Sequence, residues 1–288
     1  MKKTFFILPG NEKLGDLLVQ KEDGEKGNTE IHQFPDGETY VRILSDVKDK
    51  EVVLICTLNQ PNSKLLPIYF LAKTAKELGA KNITLVAPYL AYMRQDKVFN
   101  SGEAVTSTYF AQLISSFIDT LITIDPHLHR RTSLSEIYSI PTRLGHAADH
   151  ISVWIKNNID KPLLIGPDIE SEQWVSEVAK KANASYIILT KIRHGDSDVA
   201  VSAPAVEQYK EYTPVLVDDI ISTGRTMIET INQLKIAGMK PAVCIGVHAI
   251  FSGNSYQEIK NSGVKEIISC NTIPHESNRI DISDLLIL

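Results

Sequence analysis

Residues 214–226 read PVLVDDIISTGRT, and the order of chemical types in this stretch decides the fold. The run at 214–217 is apolar and rich in β-branched residues, as expected of a parallel strand buried on both faces. Two adjacent carboxylates, Asp218 and Asp219, follow, and then a Ser/Thr/Gly turn. Beyond it Met227, Ile228, Ile231 and Leu234 recur at helical spacing until Gly238. The segment therefore reads strand, acidic pair, turn, helix. Backbone N–H groups that open a helix lack internal partners and carry partial positive charge, so Ser222, Thr223, Gly224, Arg225 and Thr226 suit a phosphomonoester. Carboxylates aimed into such a loop would repel the phosphate. Asp218 and Asp219 must then address something else, either sugar hydroxyls or a divalent cation. The plainer alternative is that Asp219 and Ser222 merely cap a helix.

Outward from this unit, strand-like runs alternate with helical patterns. Strands are predicted at 4–8, 52–57, 83–87, 120–124, 162–165, 186–189 and 242–247, with helices near 64–78, 106–116, 146–157 and 172–182. This is the rhythm of a mostly parallel α/β sheet flanked by helices. The span 52–87 reads strand, loop, helix, Gly79, strand; 215–247 repeats it with Gly238 roughly 160 positions on. Two similar α/β domains are expected, 1–140 and 141–288, and the last residues could return to the first.

The chain has 288 residues, 35 acidic against 30 basic, for a formal charge of −5. That balance argues against a broad nucleic-acid footprint. The start MKKTFFILPG resembles an export signal, but its apolar stretch stops at Pro9 and Gly10, so it is predicted to be a first strand. No apolar run approaches membrane-spanning length, and the expectation is a soluble, cytoplasmic protein. Cys56, Cys244 and Cys270 are widely spaced and odd in number, which reads as buried free thiols in a reducing compartment. The sequence carries no GxxxxGK[ST], GxGxxG or GxSxG motif, so phosphate chemistry falls to the DDIISTGRT loop.

Other loops carry candidate chemistry. Phe34, Asp36 and Glu38 lie in FPDGE, where an exposed Phe beside acceptors could hold a nucleobase; a hairpin turn with a core Phe is the alternative. Arg94, Gln95 and Lys97 follow the strand at 83–87, at the end where open α/β sheets bind ligands, and could grip phosphates or simply be solvated. His127 and His129 follow Asp125 after another strand, a spacing compatible with a metal or phosphate contact or with a structural role. Asp168 ends the strand at 162–165 and could serve a site or cap the next helix. Residues 186–203 alternate around HGDS and are predicted to form a hairpin flap. Its Lys191 and Arg193 fall on one face by period-two spacing, either to neutralise transferring phosphates or to protect a sheet edge.

In combination FPDGE, RQDK at 94–97, DPH at 125–127, GPD ending at Asp168, KIR at 191–193 and LVDDIISTGRT resemble the ribose-phosphate pyrophosphokinases, also called phosphoribosyl pyrophosphate synthetases. The spelling IISTG and the end at Leu288 look most like the shorter archaeal-type members. The DDIISTGRT loop alone is shared with type I phosphoribosyltransferases; the first-half motifs and KIR discriminate. The resemblance implies two phosphoribosyltransferase-like domains and transfer of the β,γ-diphosphoryl group of ATP to the 1-hydroxyl of ribose 5-phosphate. By the same resemblance, Phe34, Asp36 and Glu38 would hold adenine from a neighbouring subunit of a homo-oligomer, and Arg94 and Gln95 would contact ATP. His127 and Asp168 would hold Mg2+, and Asp218 and Asp219 the ribose hydroxyls. Ser222, Thr223, Gly224, Arg225 and Thr226 would hold the 5-phosphate, while Lys191 and Arg193 would be catalytic. Departures are Arg225, where a small residue is common, Ser222, where many bacterial members have Asp, and LHRR after His127.

Overall fold

A computed structural model describes residues 2–128, 130–166, 171–194, 198–202 and 206–288. The chain divides into two units, residues 1–145 with 283–288, and residues 146–282. The division falls after Gly145 instead of after Ile140, because a short strand at 142–145 pairs with the first sheet.

The first unit runs β1 (Lys3–Ile7), α1 (Glu12–Lys21), β2 (Glu25–Lys26), β3 (Thr29–Gln33), β4 (Thr39–Ile43), β5 (Glu51–Ile55), α2 (Asn62–Glu77), β6 (Asn82–Ala87), α3 (Thr106–Ser115), β7 (Thr120–Ile124) and β8 (Thr142–Gly145). Six strands form a parallel sheet in the order β2-β1-β5-β6-β7-β8. On one face Val52, Leu54, Ile83, Leu85 and Leu121 pack with Ile68, Leu71 and Ala75 of α2 and Phe110 and Ile114 of α3. The alternate positions Phe5, Val53, Val86 and Ile122 are buried as well, as a parallel sheet covered on both faces requires. Each such side chain contributes about 1.5–3 kcal/mol on full burial.

The second unit runs α4 (Ala148–Asn158), β9 (Pro162–Gly166), α5 (Glu172–Ala182), β10 (Ser185–Ile188), β11 (Thr190–His194), β12 (Asp198–Ser202), β13 (Thr213–Ile221), α6 (Arg225–Ile236), β14 (Val243–Ala249), α7 (Ser255–Asn261), β15 (Glu266–Cys270) and β16 (Asn278–Ile280). Its parallel sheet has the order β10-β9-β13-β14-β15-β16. Leu163, Ile165, Leu216 and Cys244 pack with Met227, Ile231 and Leu234 of α6 and Ile259 of α7.

The two sheets follow one plan. In each the second strand lies outside the first, an antiparallel hairpin follows (β3 with β4, β11 with β12), and the chain then returns to the other side of the first strand. The repeat seen at 52–87 and 215–247 thus belongs to a whole-unit repeat, in which the FPDGE hairpin and the KIR hairpin are counterparts. Both matching helices also stop alike. At Gly79 (φ 93°) Ala80 N–H donates to Ala75 O at 3.0 Å, and at Gly238 (φ 73°) Met239 N–H donates to Leu234 O at 3.0 Å. These are 6→1 closures whose left-handed residue favours glycine. Among the described residues, no helix is long and apolar enough to cross a membrane.

Candidate functional site

In a parallel sheet all strand ends of one kind share an edge, and ligands bind where the strand order reverses at the carboxyl edge. In the second unit that reversal lies between β9 and β13. β13 is longer than the apolar run predicted: Asp218 lies opposite Gly246, and Ile220 and Ile221 opposite His248 and Ala249 of β14. Asp218 and Asp219 therefore stand on the strand itself, half-buried, with Asp219 N–H donating to Asp218 Oδ1 at 3.0 Å. Carboxylate oxygens can accept hydrogen bonds from the hydroxyls of a sugar.

The turn after β13 leads into α6 through Gly224, the N-cap, at φ 69°. Having no side chain, Gly224 leaves the first-turn N–H groups of α6 to a ligand. A Cβ there would stand 2.6 Å from Ile259 Cδ1, so glycine is required by space as well as by φ. Thr223 and Arg225 are exposed, and Ser222 and Thr226 half-buried. Ser222 does not cap the helix. Its hydroxyl lies 3.1 Å from Ser252 Oγ, and its carbonyl accepts from Ser252 N–H at 3.0 Å and Ser255 Oγ at 2.7 Å. The loop after β14 thus braces the turn, a contribution of Ser252 and Ser255 that no sequence motif announced. Behind them Phe251, Tyr256 and His275 pack ring against ring at 4.6–5.0 Å. Burial lowers the His275 pKa, favouring the neutral ring.

Asp168 and His129 lie outside the described residues. Lys191 and Arg193 occupy β11, opposite Val201 and Val199 of β12, and residues 195–197 at the predicted tip also lie outside the description.

In the first unit FPDGE is a hairpin turn between β3 and β4. Phe34 N–H donates to Glu38 O at 2.7 Å, Gly37 N–H to Phe34 O at 2.8 Å, and Glu38 N–H to Asp36 Oδ1 at 3.2 Å. Phe34 is 46% exposed, so the core alternative is excluded. It meets the stacked pair His32 and Tyr40 edge-on, presenting an aromatic patch beside the exposed Asp36 and Glu38.

Arg94 and Gln95 follow β6, and His127 follows β7, at one carboxyl edge. Arg94 is exposed and Gln95 half-buried, its Oε1 accepting from Thr106 Oγ1 at 3.1 Å. His127 is half-buried next to Asp125, whose backbone is held at φ 33°. At the reversal point of this sheet, between β1 and β5, side chains tie the loops together. Asn11 Oδ1 accepts from Thr57 N–H at 2.8 Å, and the Lys64 ammonium donates to Thr57 O at 2.8 Å and Asn59 Oδ1 at 2.5 Å. Burial lowers the Lys64 pKa. The two units thus share a plan but differ at the position that holds DDIISTGRT in the second.

All three cysteines are buried, and burial pushes the Cys56 and Cys244 thiols up to about 12, which leaves those two unreactive. Among the described residues, no three His, Cys, Asp or Glu side chains converge as a metal cage.

Residues 4–117 match the family model for the N-terminal domain of ribose phosphate pyrophosphokinase, and residues 133–283 that for the phosphoribosyl transferase domain. The ribose-phosphate pyrophosphokinase of Sulfurisphaera tokodaii is 30% identical, over 88% of this chain and 87% of its own. That of Pyrococcus abyssi is 30% identical over 100% and 98%. The crystal structure of phosphoribosylpyrophosphate synthetase from Mycobacterium smegmatis, at 23% identity, superposes with a TM-score of 0.85 over 99% of this chain and 96% of that one, and so shares the fold. With both halves matched in order and archaeal relatives aligned along nearly their whole length, this chain belongs to the ribose-phosphate pyrophosphokinase family.

Proposed function

We propose that the protein transfers the β,γ-diphosphoryl group of ATP to the 1-hydroxyl of ribose 5-phosphate, giving 5-phosphoribosyl 1-pyrophosphate and AMP. The observation that carries this reading is the family match of the first half, since a transferase consuming phosphoribosyl pyrophosphate has no need of that domain. The geometry of the second unit supports the acceptor side. Asp218 and Asp219 accept hydrogen bonds from the ribose 2- and 3-hydroxyls, and the 222–226 turn holds the 5-phosphate on the N–H groups of α6. Fixing both ends of the sugar leaves the 1-hydroxyl oriented for attack on the β-phosphorus.

On the donor side Arg94 and Gln95 bind ATP phosphates and ribose. Phe34 stacks on adenine while Asp36 and Glu38 accept its amino hydrogens. The exposure of Phe34 at a hairpin tip supports its service to the ATP site of a neighbouring subunit in a homo-oligomer. Lys191 and Arg193 stabilise the charge that develops on the transferring group and on the departing AMP oxygen.

Magnesium carried by ATP keeps water and phosphate oxygens and takes only one or two protein ligands, so such an ion needs no all-protein cage. His127 and Asp168 are the residues proposed to hold it, and when bound it would neutralise phosphate charge. The buried thiols of Cys56 and Cys244 support a reducing, cytoplasmic setting.

The test is incubation of the purified protein with magnesium, ATP and ribose 5-phosphate while AMP is followed. AMP that appears only with the sugar phosphate is expected. Its absence, with base-dependent pyrophosphate release from phosphoribosyl pyrophosphate, would instead assign a phosphoribosyltransferase. Silence in both assays would point to a non-catalytic relative.

A further inference from the structure

Arg130 and Arg131 close onto the loop carrying Arg94 and Gln95. Arg130 Nη1 donates to both carboxylate oxygens of Asp96, at 3.1 and 3.3 Å. Arg131 Nη2 donates to the backbone carbonyl of the same residue at 3.3 Å and lies 3.3 Å from Thr108 Oγ1. Asp96 is thus held by side chain and by main chain, from a loop more than thirty positions away. Its side chain is only 3% exposed. A carboxylate so removed from water depends on its cation, which separates this pair from an ordinary surface ion pair worth about 0–1 kcal/mol.

The surroundings extend the grip. The Arg130 guanidinium lies 5.4 Å from the centre of the Phe99 ring, and the Lys97 ammonium 5.0 Å from it. Glu103 holds the backbone N–H groups of Phe99 and Asn100 at 2.8 and 2.9 Å. Gln95 O accepts from Ser107 N–H at 3.3 Å, on the helix that also carries Thr108. The turn at 94–100 is therefore fixed at several points: α3 holds Gln95 directly, and Arg130 and Arg131 hold its neighbour Asp96.

We propose that Arg130 and Arg131 are positioning residues for the nucleotide: through Asp96 they set the turn that presents Arg94 and Gln95 to ATP. This rests on the assignment of Arg94 and Gln95 to ATP, and the experiment tests the two separately. The KM for ATP, the KM for ribose 5-phosphate and kcat are measured for the full chain and for Arg94→Ala, Arg130→Ala, Arg130→Lys, Asp96→Asn and Arg130→Ala/Asp96→Asn.

Arg130→Ala should raise the KM for ATP by about tenfold or more, the effect of losing the cation of a buried carboxylate. The KM for ribose 5-phosphate should stay within about twofold, a split that general loss of folding would not produce. Arg130→Lys should recover part of the loss, and the double variant should be no worse than Arg130→Ala, because the two side chains act as one unit. If Arg130→Ala does not fold, Asp96→Asn decides, since it weakens the clamp without burying an unpaired charge; it should raise the KM for ATP alone. A KM for ATP that moves with Arg94→Ala but with neither Arg130→Ala nor Asp96→Asn overturns the positioning role and leaves the ATP assignment standing. No response to Arg94→Ala overturns the ATP assignment itself. Equal rises in both KM values also overturn the proposal.

Discussion

Replacing Gly224 by alanine should destabilise the second unit by about 2–5 kcal/mol. About 1–2 kcal/mol comes from holding an L-residue at φ 69°, where Cβ crowds the following carbonyl. About 1–3 kcal/mol comes from overpacking, because the new methyl would stand 2.6 Å from Ile259 Cδ1 and 2.8 Å from its Cγ1. Both tryptophans, Trp154 and Trp174, lie in the second unit, so urea unfolding followed by tryptophan fluorescence reports on that unit. Adding Ile259→Val removes the closer of the two atoms. Alone that change should cost about 0.5–1.5 kcal/mol, yet in the Gly224→Ala background it should cost less or even restore stability. The backbone component would remain, so recovery is partial. The KM for ribose 5-phosphate should rise in the same variants, since the turn cannot move without moving the N–H groups that follow it. A Gly224→Ala protein within about 0.5 kcal/mol of the parent would show that neither φ nor Ile259 demands glycine at this position, and strictly additive effects with Ile259→Val would show the same of Ile259 alone.

Four further outcomes are expected. Lys191→Ala should lower turnover by about 10²- to 10³-fold in steady-state assays with little change in either KM, as for a lost transition-state donor; equal losses in both would remove Lys191 from the chemistry. Ser255→Ala deletes the 2.7 Å bond to Ser222 O and should cost about 1 kcal/mol, seen as a severalfold rise in the KM for ribose 5-phosphate with that for ATP unchanged. Phe34→Ala should leave the melting temperature nearly unchanged, because the ring is exposed, while weakening ATP saturation. Glu25 is held below the ordinary glutamate pKa of 4.5, first by its hydrogen bond from Lys50 and then by that from Thr4. Its contribution is present above that value and is lost as pH falls through the lower folded one; being partly exposed, it is small. Calorimetric melting between about pH 6 and about pH 3 should therefore show a shallower acid decline for Glu25→Gln.

The parallel rhythm was legible because buried strands such as 83–87 and 120–124 are continuous apolar runs, and because Gly79 and Gly238 mark helix ends that only a left-handed residue can close. The extension of β13 through Ile221 was not, since two carboxylates interrupt the run and only pairing with His248 and Ala249 reveals that the ladder continues. Short strands escaped for a different reason. β8 and β16 have four and three residues, too few to show a period. α1, EKLGDLLVQK, buries only Leu14, Gly15 and Leu18, so its apolar signal is thin. At the candidate site, the turn and its carboxylates were readable as local chemistry. The bracing by Ser252 and Ser255 and the clamp on Asp96 join residues some thirty positions apart, and local pattern carries no trace of such contacts. Phe34 could be placed outside the core only once the hairpin existed in three dimensions.

The segment Ser283–Leu286 returns to the first unit, where Leu286 is fully buried and Lys21 Nζ donates to Ser283 Oγ at 2.8 Å. Gly145 has no room for a side chain because Leu285 Cβ would lie 2.8 Å from its Cβ. On the ribosome the unit that begins first is therefore completed last. About 140 residues of the second unit must be made before the closing residues exist, a delay of about 7–30 s at usual synthesis rates. During that interval the nascent first sheet has an uncovered apolar patch where Leu286 will sit. A released chain ending just before residue 283 should accordingly show protease resistance in the second unit and lose it in the first.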